Sequence, residues 1–187
     1  PRQVTTDGSI WRFPPVWSPD GKKILFGDKE QRLNIADFRS GRITVVDTSR
    51  HNDFTEYSWS ADSRFIVYTK NNATGYGNLW IYSIDSGNSR QVTSDMTDDG
   101  EGVFDPKGRY LYFTSSRDQD LEFSSIEFNY FVTDSIRVYA AQLNADQPAL
   151  FRPKSDEVAD DNESDDNGNG KDDKAVRIRI DFEGFGD

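Results

Sequence analysis

The chain has 187 residues, of which 34% are hydrophobic and 13% aromatic, a composition that indicates a folded domain and excludes wholesale disorder. It contains no cysteine, which excludes disulfides and metal sites with cysteine ligands. The formal net charge of −11 argues against binding to nucleic acid or to anionic membranes, and no apolar run approaches the roughly 18 residues that span a bilayer.

Two sequence elements recur along the chain with a period in the low forties. WSPDGKKILF at residues 17–26 recurs as WSADSRFIVY at 59–68 and as FDPKGRYLYF at 104–113, with offsets of 42 and 45 residues. RQVT at residues 2–5 reappears at 90–93, which is 88 residues further on. Short β-type runs repeated at such a period are typical of β-propeller blades. On this pattern, residues 2–6 match the last strand of a preceding blade.

Each repeat contains four predicted β-strands, separated by turns rich in Pro, Asp, Gly and Ser. The first strand ends at Trp17, Trp59 or Phe104; the second covers 24–26, 65–69 or 110–114; the third covers 32–37, 78–84 or 136–143; the fourth covers 42–47, 89–93 or 149–152. No stretch shows a period of 3.6 residues. The sequence therefore predicts an all-β fold, a β-propeller built from four-stranded blades of about 44 residues.

The predicted blades lie near residues 12–54, 55–98 and 99–153, followed by an acidic loop at 156–174 and the start of a further blade at 175–187. In the last segment Val176, Ile178 and Ile180 alternate with charged residues, as in a half-buried strand. Closing six or seven such blades would take roughly 260 to 310 residues. We therefore expect an open, incomplete propeller whose exposed strand edges favour homo-oligomers.

The acidic loop contains the best candidate for a metal site. Oxygen-bearing side chains stand at positions 1, 3, 5 and 9 of a possible calcium loop, namely Asp165, Asn167, Asn169 and Asp173. Gly170 supplies the turn at position 6, but position 12 is Val176, where a bidentate Glu belongs. Two interpretations stay open, a weak calcium loop and a plain solvated acidic loop, and no other cofactor is expected.

Few residues suggest catalysis, and we expect none in this chain. The single histidine, His51, falls in a loop between blades, and the paired acids Asp98 and Asp99 fall in another loop. Four arginines have two interpretations, as ordinary surface charge or as guides for peptide carboxylates: Arg12, Arg32, Arg64 and Arg137.

Aromatic residues raise two further expectations. Trp17, Trp59 and Phe104 recur with the repeat, which predicts a place in the core between blades. An insert at residues 118–134 interrupts the third repeat and is rich in aromatic residues: Phe123, Phe128, Tyr130 and Phe131. Packing on its own propeller is the favoured interpretation, and contact with a neighbouring domain or subunit is the alternative.

The repeat element at residues 17–26 resembles the WD40-like repeats of Tol-system propellers, prolyl oligopeptidase relatives and tricorn proteases. More specific is an ordered set of segments that looks like tricorn-type proteases, and especially their second propeller. These are GRYLYFTSSR at 108–117, EFNY at 127–130, RVYAAQL at 137–143, PKSDE at 153–157 and IDFEG at 180–184.

The resemblance implies a cytoplasmic serine peptidase with two propellers that admit peptides and release products, a PDZ domain and a protease core. This chain resembles only propeller, so no catalytic residue is assigned to it. The resulting hypothesis is a non-catalytic segment that guides or gates peptides, partnered by the remaining blades and the protease domains of a parent chain. The alternative is a stand-alone, Tol-type interaction propeller without any protease.

Overall fold

The regular structure consists of antiparallel β-strands that follow the sequence repeat. The computed structural model describes residues 3, 5, 6, 8–147, 150 and 176–183. The predicted fourth strand at 149–152, the acidic loop with its calcium candidates, and part of the predicted strand at 2–6 lie outside these residues. The described part of the chain contains no helix long and apolar enough to cross a membrane.

The first two repeats each form a four-stranded antiparallel sheet in which neighbouring strands are consecutive along the chain. The first blade contains β1 (Val16–Trp17), β2 (Lys23–Gly27), β3 (Arg32–Asp37) and β4 (Ile43–Thr48). The second blade contains β5 (Tyr57–Trp59), β6 (Phe65–Asn71), β7 (Gly77–Ser83) and β8 (Asn88–Gln91). The predicted strand positions are confirmed to within about two residues, because turn chemistry and strand periodicity agree here.

Within its described residues the third repeat forms a three-stranded sheet in the order β13-β10-β9 and carries a separate two-stranded hairpin. Its strands are β9 (Asp99–Phe104), β10 (Tyr110–Ser115) and β13 (Arg137–Gln142). The insert between β10 and β13 forms the hairpin, with β11 (Asp120–Ser124) and β12 (Asn129–Thr133).

The recurring sequence element builds the turn between the first two strands of a blade. In the second blade the Ser60 hydroxyl donates to Asp62 at 2.7 Å and accepts the Phe65 backbone N–H at 2.8 Å. Ser18 makes the same pair of contacts in the first blade. The turns of the two blades also touch, since the Ser63 hydroxyl accepts the backbone N–H of Asp20 at 3.0 Å.

Two hydrophobic cores fill the spaces between consecutive blades, because the second blade is buried on both faces. Ile66 and Tyr68 of β6 pack towards the first blade, while Phe65 and Val67 pack towards the third. Alternate residues of one strand thus serve both cores, which explains why the first four residues of β6 are all hydrophobic.

The prediction that all three recurring aromatic residues lie in the core is wrong for Trp17. Trp59 and Phe104 are 8% and 5% exposed, whereas Trp17 is 50% exposed and packs against Phe38 with ring centroids 5.5 Å apart. Trp59 contacts the first blade and Phe104 the second, so each aromatic faces the blade before its own. No described residue forms a blade in front of Trp17, and its outer face is therefore open.

Residues 176–183 pack against the second and third blades as an extended segment, outside the paired strands of the described chain. Ile178 is buried, and its backbone N–H donates to the Asp62 carboxylate at 2.8 Å. The Asp181 N–H donates to the carbonyl of Leu143 at 2.8 Å, next to the end of β13. The inward positions of Ile178 and Ile180 agree with the predicted alternation, while Val176 is exposed. That the segment begins a further blade stays a prediction.

Candidate functional site

An open cleft of about 380 Å³ lies where the second and third blades meet. Glu56 precedes β5, Asp98 precedes β9, and Asp99 and Glu101 belong to the start of β9. The end of β10 and the β6–β7 turn add to the lining. Its polar lining residues include Glu56, Thr69, Asp98, Glu101 and Ser116. Because the cleft is built by two blades, the packing of their shared core determines its shape.

Glu56 is held in place by groups from both blades. Its Oε2 atom accepts a hydrogen bond from the Thr69 hydroxyl at 2.8 Å and another from the backbone N–H of Glu101 at 3.1 Å. The Glu56 carbonyl also accepts the Thr69 N–H at 3.1 Å. Glu101 has a φ of 55°, a left-handed conformation that is costly for a residue with a side chain. These contacts fix the Glu56 carboxylate at the boundary between the blades.

Asp98 and Asp99 also line the cleft and have different partners. Asp98 accepts the backbone N–H of Gly77 at 2.7 Å. Asp99 is buried and accepts hydrogen bonds from the Arg117 guanidinium at 3.1 Å and from the Thr97 hydroxyl at 2.7 Å. A Cβ atom on Gly77 would lie 2.7 Å from the Asp99 carbonyl oxygen, so this approach of two backbones requires glycine.

The charge of the cleft is negative. Four carboxylates line it, those of Glu56, Asp98, Asp99 and Glu101, and Arg117 balances Asp99. No lysine, arginine or histidine is present among the described residues of the lining. Carboxylates in a partly enclosed site concentrate the field and attract cations. The described residues nevertheless include no cluster of His, Asp or Glu arranged to hold a metal ion.

The other candidates from the sequence lie away from this cleft. His51 is exposed between β4 and β5, where its backbone N–H donates to the Ser49 hydroxyl at 3.1 Å. Asp165, Asn167, Asn169 and Asp173 lie outside the described residues. The paired acids Asp98 and Asp99, also singled out from the sequence, do line the cleft, as hydrogen-bond acceptors. Glu56, just before β5, and Glu101, within β9, were missed, because isolated acids give no signal until two blades are placed side by side.

The four arginines are distributed over different elements and are engaged within the fold. Arg32 forms ion pairs with Asp28 at 2.9 Å and Glu30 at 2.8 Å, and Arg64 pairs with Asp85. Arg137 lies 3.2 Å from Asp120. The Arg12 guanidinium lies 5.7 Å from the centre of the Phe26 ring and donates to the Ile10 carbonyl at 3.1 Å. Structural ion pairing and stacking therefore account for these side chains.

Comparison with known proteins identifies the family of the chain. The model of the tricorn protease second beta propeller domain matches residues 2–186. A putative tricorn-like protease C-terminal subunit of Sulfurisphaera tokodaii is 30% identical over 127 residues, covering 68% of this chain and 15% of that protein. Tricorn protease of Thermoplasma volcanium is 27% identical over 148 residues, covering 76% of this chain and 14% of that protein.

A solved structure shows the same fold. The crystal structure of the tricorn protease superposes with a TM-score of 0.68 at 21% identity, covering 77% of this chain and 14% of that one. The chain thus spans 15% or less of the length of these matched proteins.

Proposed function

Because the chain belongs to the tricorn protease second β-propeller domain family, we propose that it guides peptides to or from a catalytic core outside this chain. The observation that carries this proposal is the acidic cleft between the second and third blades. The partners that follow are further propeller blades, protease domains and peptides. The proposed compartment is the cytoplasm, in keeping with the family resemblance.

The chemistry of the cleft suits the positively charged end of a peptide. A peptide carries an ammonium group at its amino terminus, and the cleft presents the carboxylates of Glu56, Asp98 and Glu101. Each exposed ion pair contributes only about 0.2–1 kcal/mol. Weak binding of this kind suits a passage, since a peptide must leave it as readily as it enters.

The experiment compares two peptides on this chain. A pentaalanine peptide with a fluorophore at its carboxyl end is titrated by fluorescence anisotropy, with its amino terminus either free or acetylated. The cleft variant combines Glu56→Gln with Asp98→Asn, substitutions that keep an acceptor oxygen for Thr69 and Gly77. The matched control combines Asp146→Asn with Glu183→Gln, which removes the same charge from exposed positions elsewhere.

We expect the free-amine peptide to bind the cleft variant about fivefold more weakly than the unchanged chain, equivalent to about 1 kcal/mol. The control variant should bind it as the unchanged chain does, and acetylation should abolish the difference between variants. Equal binding of both peptides, or an equal loss in the control, would contradict the proposal.

The alternative function, a stand-alone interaction propeller, predicts no preference for a free amino terminus. It also predicts that the gene ends after one closed propeller, whereas a peptide-guiding segment requires a downstream serine protease region. The length of the complete open reading frame distinguishes the two functions independently of binding.

A further inference from the structure

The insert at residues 118–134 forms a hairpin with two chemically different faces. In its register, Leu121 lies opposite Val132 and Phe123 lies opposite Tyr130. Directly paired residues project to the same side of an antiparallel ribbon. Leu121, Phe123, Tyr130 and Val132 therefore share one side, which we name the apolar hairpin face. The residues that alternate with these four along the strands project to the other side, and most of them are polar, including Asp120, Glu122 and Thr133.

The apolar hairpin face is exposed, so the expectation that the insert packs on its own propeller is wrong. Leu121 and Tyr130 are each 63% exposed, and Phe123 is 52% exposed. The Phe123 ring has aromatic neighbours within the hairpin itself, with centroids 5.1 Å from Tyr130 and 6.2 Å from Phe128. None of the four side chains belongs to either core between the blades. A contiguous exposed apolar surface on an ordered ribbon is typical of an interaction site.

The tip of the hairpin displays a further aromatic side chain from a strained backbone. Phe128 is 80% exposed and has a φ of 52°. The left-handed conformation is uncommon for a bulky residue, and glycine would adopt it without strain. A phenylalanine that is both strained and solvent-exposed contributes little to folding. Its position is explained if the side chain is buried by a partner.

The charge of the hairpin indicates which kind of partner fits. Residues 118–134 contain five acidic residues and no Lys or Arg: Asp118, Asp120, Glu122, Glu127 and Asp134. Arg137 lies 3.2 Å from Asp120 and 3.7 Å from Asp134, both at the base. Glu122 and Glu127, further along the ribbon, form no ion pair with a described residue. Two copies of this hairpin would bring like charges together, which disfavours self-association through it.

We propose that the apolar hairpin face docks a protein surface with an apolar centre and a border of Lys or Arg. Apolar contact supplies most of the binding free energy. The border charges of the partner meet Glu127 at the tip, while Glu122, on the opposite side of the ribbon, adds to the negative potential around the apolar hairpin face. This inference does not rest on the peptide-guiding role, because the hairpin and the acidic cleft are separate surfaces with separate tests.

The test uses the 187-residue chain and a designed probe. The probe is a fluorescent 12-residue peptide of alternating leucine and lysine, and the comparison peptides replace its lysines by glutamate or its leucines by serine. Binding is measured by anisotropy for the unchanged chain and for Phe123→Ser, Phe128→Gly and the pair Glu122→Gln with Glu127→Gln. Ile43→Ser tests an exposed apolar residue elsewhere, and Asp165→Asn with Asp166→Asn removes two charges outside the hairpin.

We expect Phe123→Ser to weaken binding of the leucine–lysine probe at least tenfold, and the Glu122/Glu127 pair to weaken it at least threefold. Ile43→Ser and the Asp165/Asp166 pair should change it less than twofold. Phe128→Gly should weaken binding while the melting temperature stays the same or rises, because strain is relieved. That combination separates a docking role from a structural one.

Three results would overturn the proposal. Equal losses for the two charge pairs would mean that the probe senses only net charge. If the leucine–glutamate peptide bound as tightly as the leucine–lysine probe, the partner would not need a border of Lys or Arg. Dimerisation of the unchanged chain in light scattering, lost on Phe123→Ser, would make a second copy the occupant.

Discussion

The indole N–H of Trp59 donates a hydrogen bond to the carbonyl of Val16 at 3.2 Å and so joins the second blade to the first strand of the first. Trp17 occupies the same position one repeat earlier, but it is half exposed and has no blade of described residues in front of it. Comparing the same substitution at Trp59 and at Trp17 therefore measures how much the contact between blades contributes to stability.

Replacing Trp59 by Phe should lower the free energy of unfolding by about 1–3 kcal/mol. The substitution removes a hydrogen bond and part of a buried ring, and it leaves the Val16 carbonyl without this donor. Trp17→Phe should cost less than about 0.5 kcal/mol, as expected for a surface substitution. Urea denaturation of both variants provides the measurement. Equal losses would mean that the first strands do not carry the contact between blades.

Tyr68 connects the first two blades through its phenol, which donates to the Asp47 carboxylate at 2.8 Å. Asp47 also pairs with Lys70 at 2.9 Å, so it keeps a partner when the phenol is removed. Tyr68→Phe should cost about 1–2 kcal/mol at pH 7. Tyr76→Phe, at an exposed tyrosine, should cost almost nothing. Chemical denaturation at pH 7 compares the free energies of unfolding of the two variants. Equal losses in Tyr68→Phe and Tyr76→Phe would show that the hydrogen bond to Asp47 adds no stability.

The same phenol should make stability fall at alkaline pH. Burial, together with the neighbouring Asp47, raises the pKa of Tyr68 above its ordinary value of about 10. A raised folded pKa stabilises the protein fully below the unfolded pKa and loses that effect as the pH rises. Above about pH 10 the unchanged chain should lose up to about 1.4 kcal/mol per pH unit more than Tyr68→Phe does. Parallel pH profiles for the two proteins would contradict this.

Asp28 should contribute stability that is lost in acid. Its buried carboxylate accepts hydrogen bonds from the Arg32 guanidinium at 3.0 Å and the Asn34 amide at 2.9 Å. Burial acts to raise the pKa of Asp28, but these hydrogen bonds outweigh it and hold the pKa below its ordinary value. A depressed folded pKa means that the stabilisation is complete above the unfolded pKa, about 3.9, and disappears as the pH falls through the folded one.

Asp28→Asn should therefore cost about 2–4 kcal/mol at pH 7, and the difference from the unchanged chain should shrink below about pH 4. Denaturation at pH 7, 5, 4 and 3 follows the change. Asp37→Asn, at the end of β3 where the carboxylate is solvent-exposed and accepts from Ser40, serves as the control and should cost much less. A difference that stays constant down to pH 3 would mean that ionisation of Asp28 does not matter.

The sequence predicted the blades well because each repeat carries its own turn chemistry. Ser18 and Ser60 close equivalent turns, and β6 alternates its side chains between two cores as its pattern indicates. Such features depend on residues close together in the chain. The family resemblance found from those segments is confirmed by the match over residues 2–186.

Features that depend on distant segments were harder to predict. The exposure of Trp17 depends on what stands in front of the first blade, and the acidic cleft exists only because Glu56 and Glu101 meet across 45 residues. Ile178 reaches the Asp62 turn, 116 residues away in the chain. Hydrophobic alternation correctly indicates that Ile178 turns inward, but it does not indicate which core receives the side chain.

The calcium candidates Asp165, Asn167, Asn169 and Asp173 allow a direct thermal test. If the loop is only acidic, millimolar calcium should leave the melting temperature where an equal concentration of magnesium leaves it. A site filled at one hundred times its dissociation constant would instead add about 2.7 kcal/mol. A shift specific to calcium and abolished by Asp165→Ala would establish the metal site.

The most direct test of the central claim records binding and hydrolysis in one experiment. The purified chain is mixed with a fluorogenic pentapeptide that has a free amino terminus, and anisotropy and cleavage are followed together. A peptide-guiding segment should bind the peptide, lose binding in the Glu56→Gln/Asp98→Asn variant, and release no cleaved product. Cleavage that disappears on His51→Ala, or binding that is unchanged in the cleft variant, would contradict it.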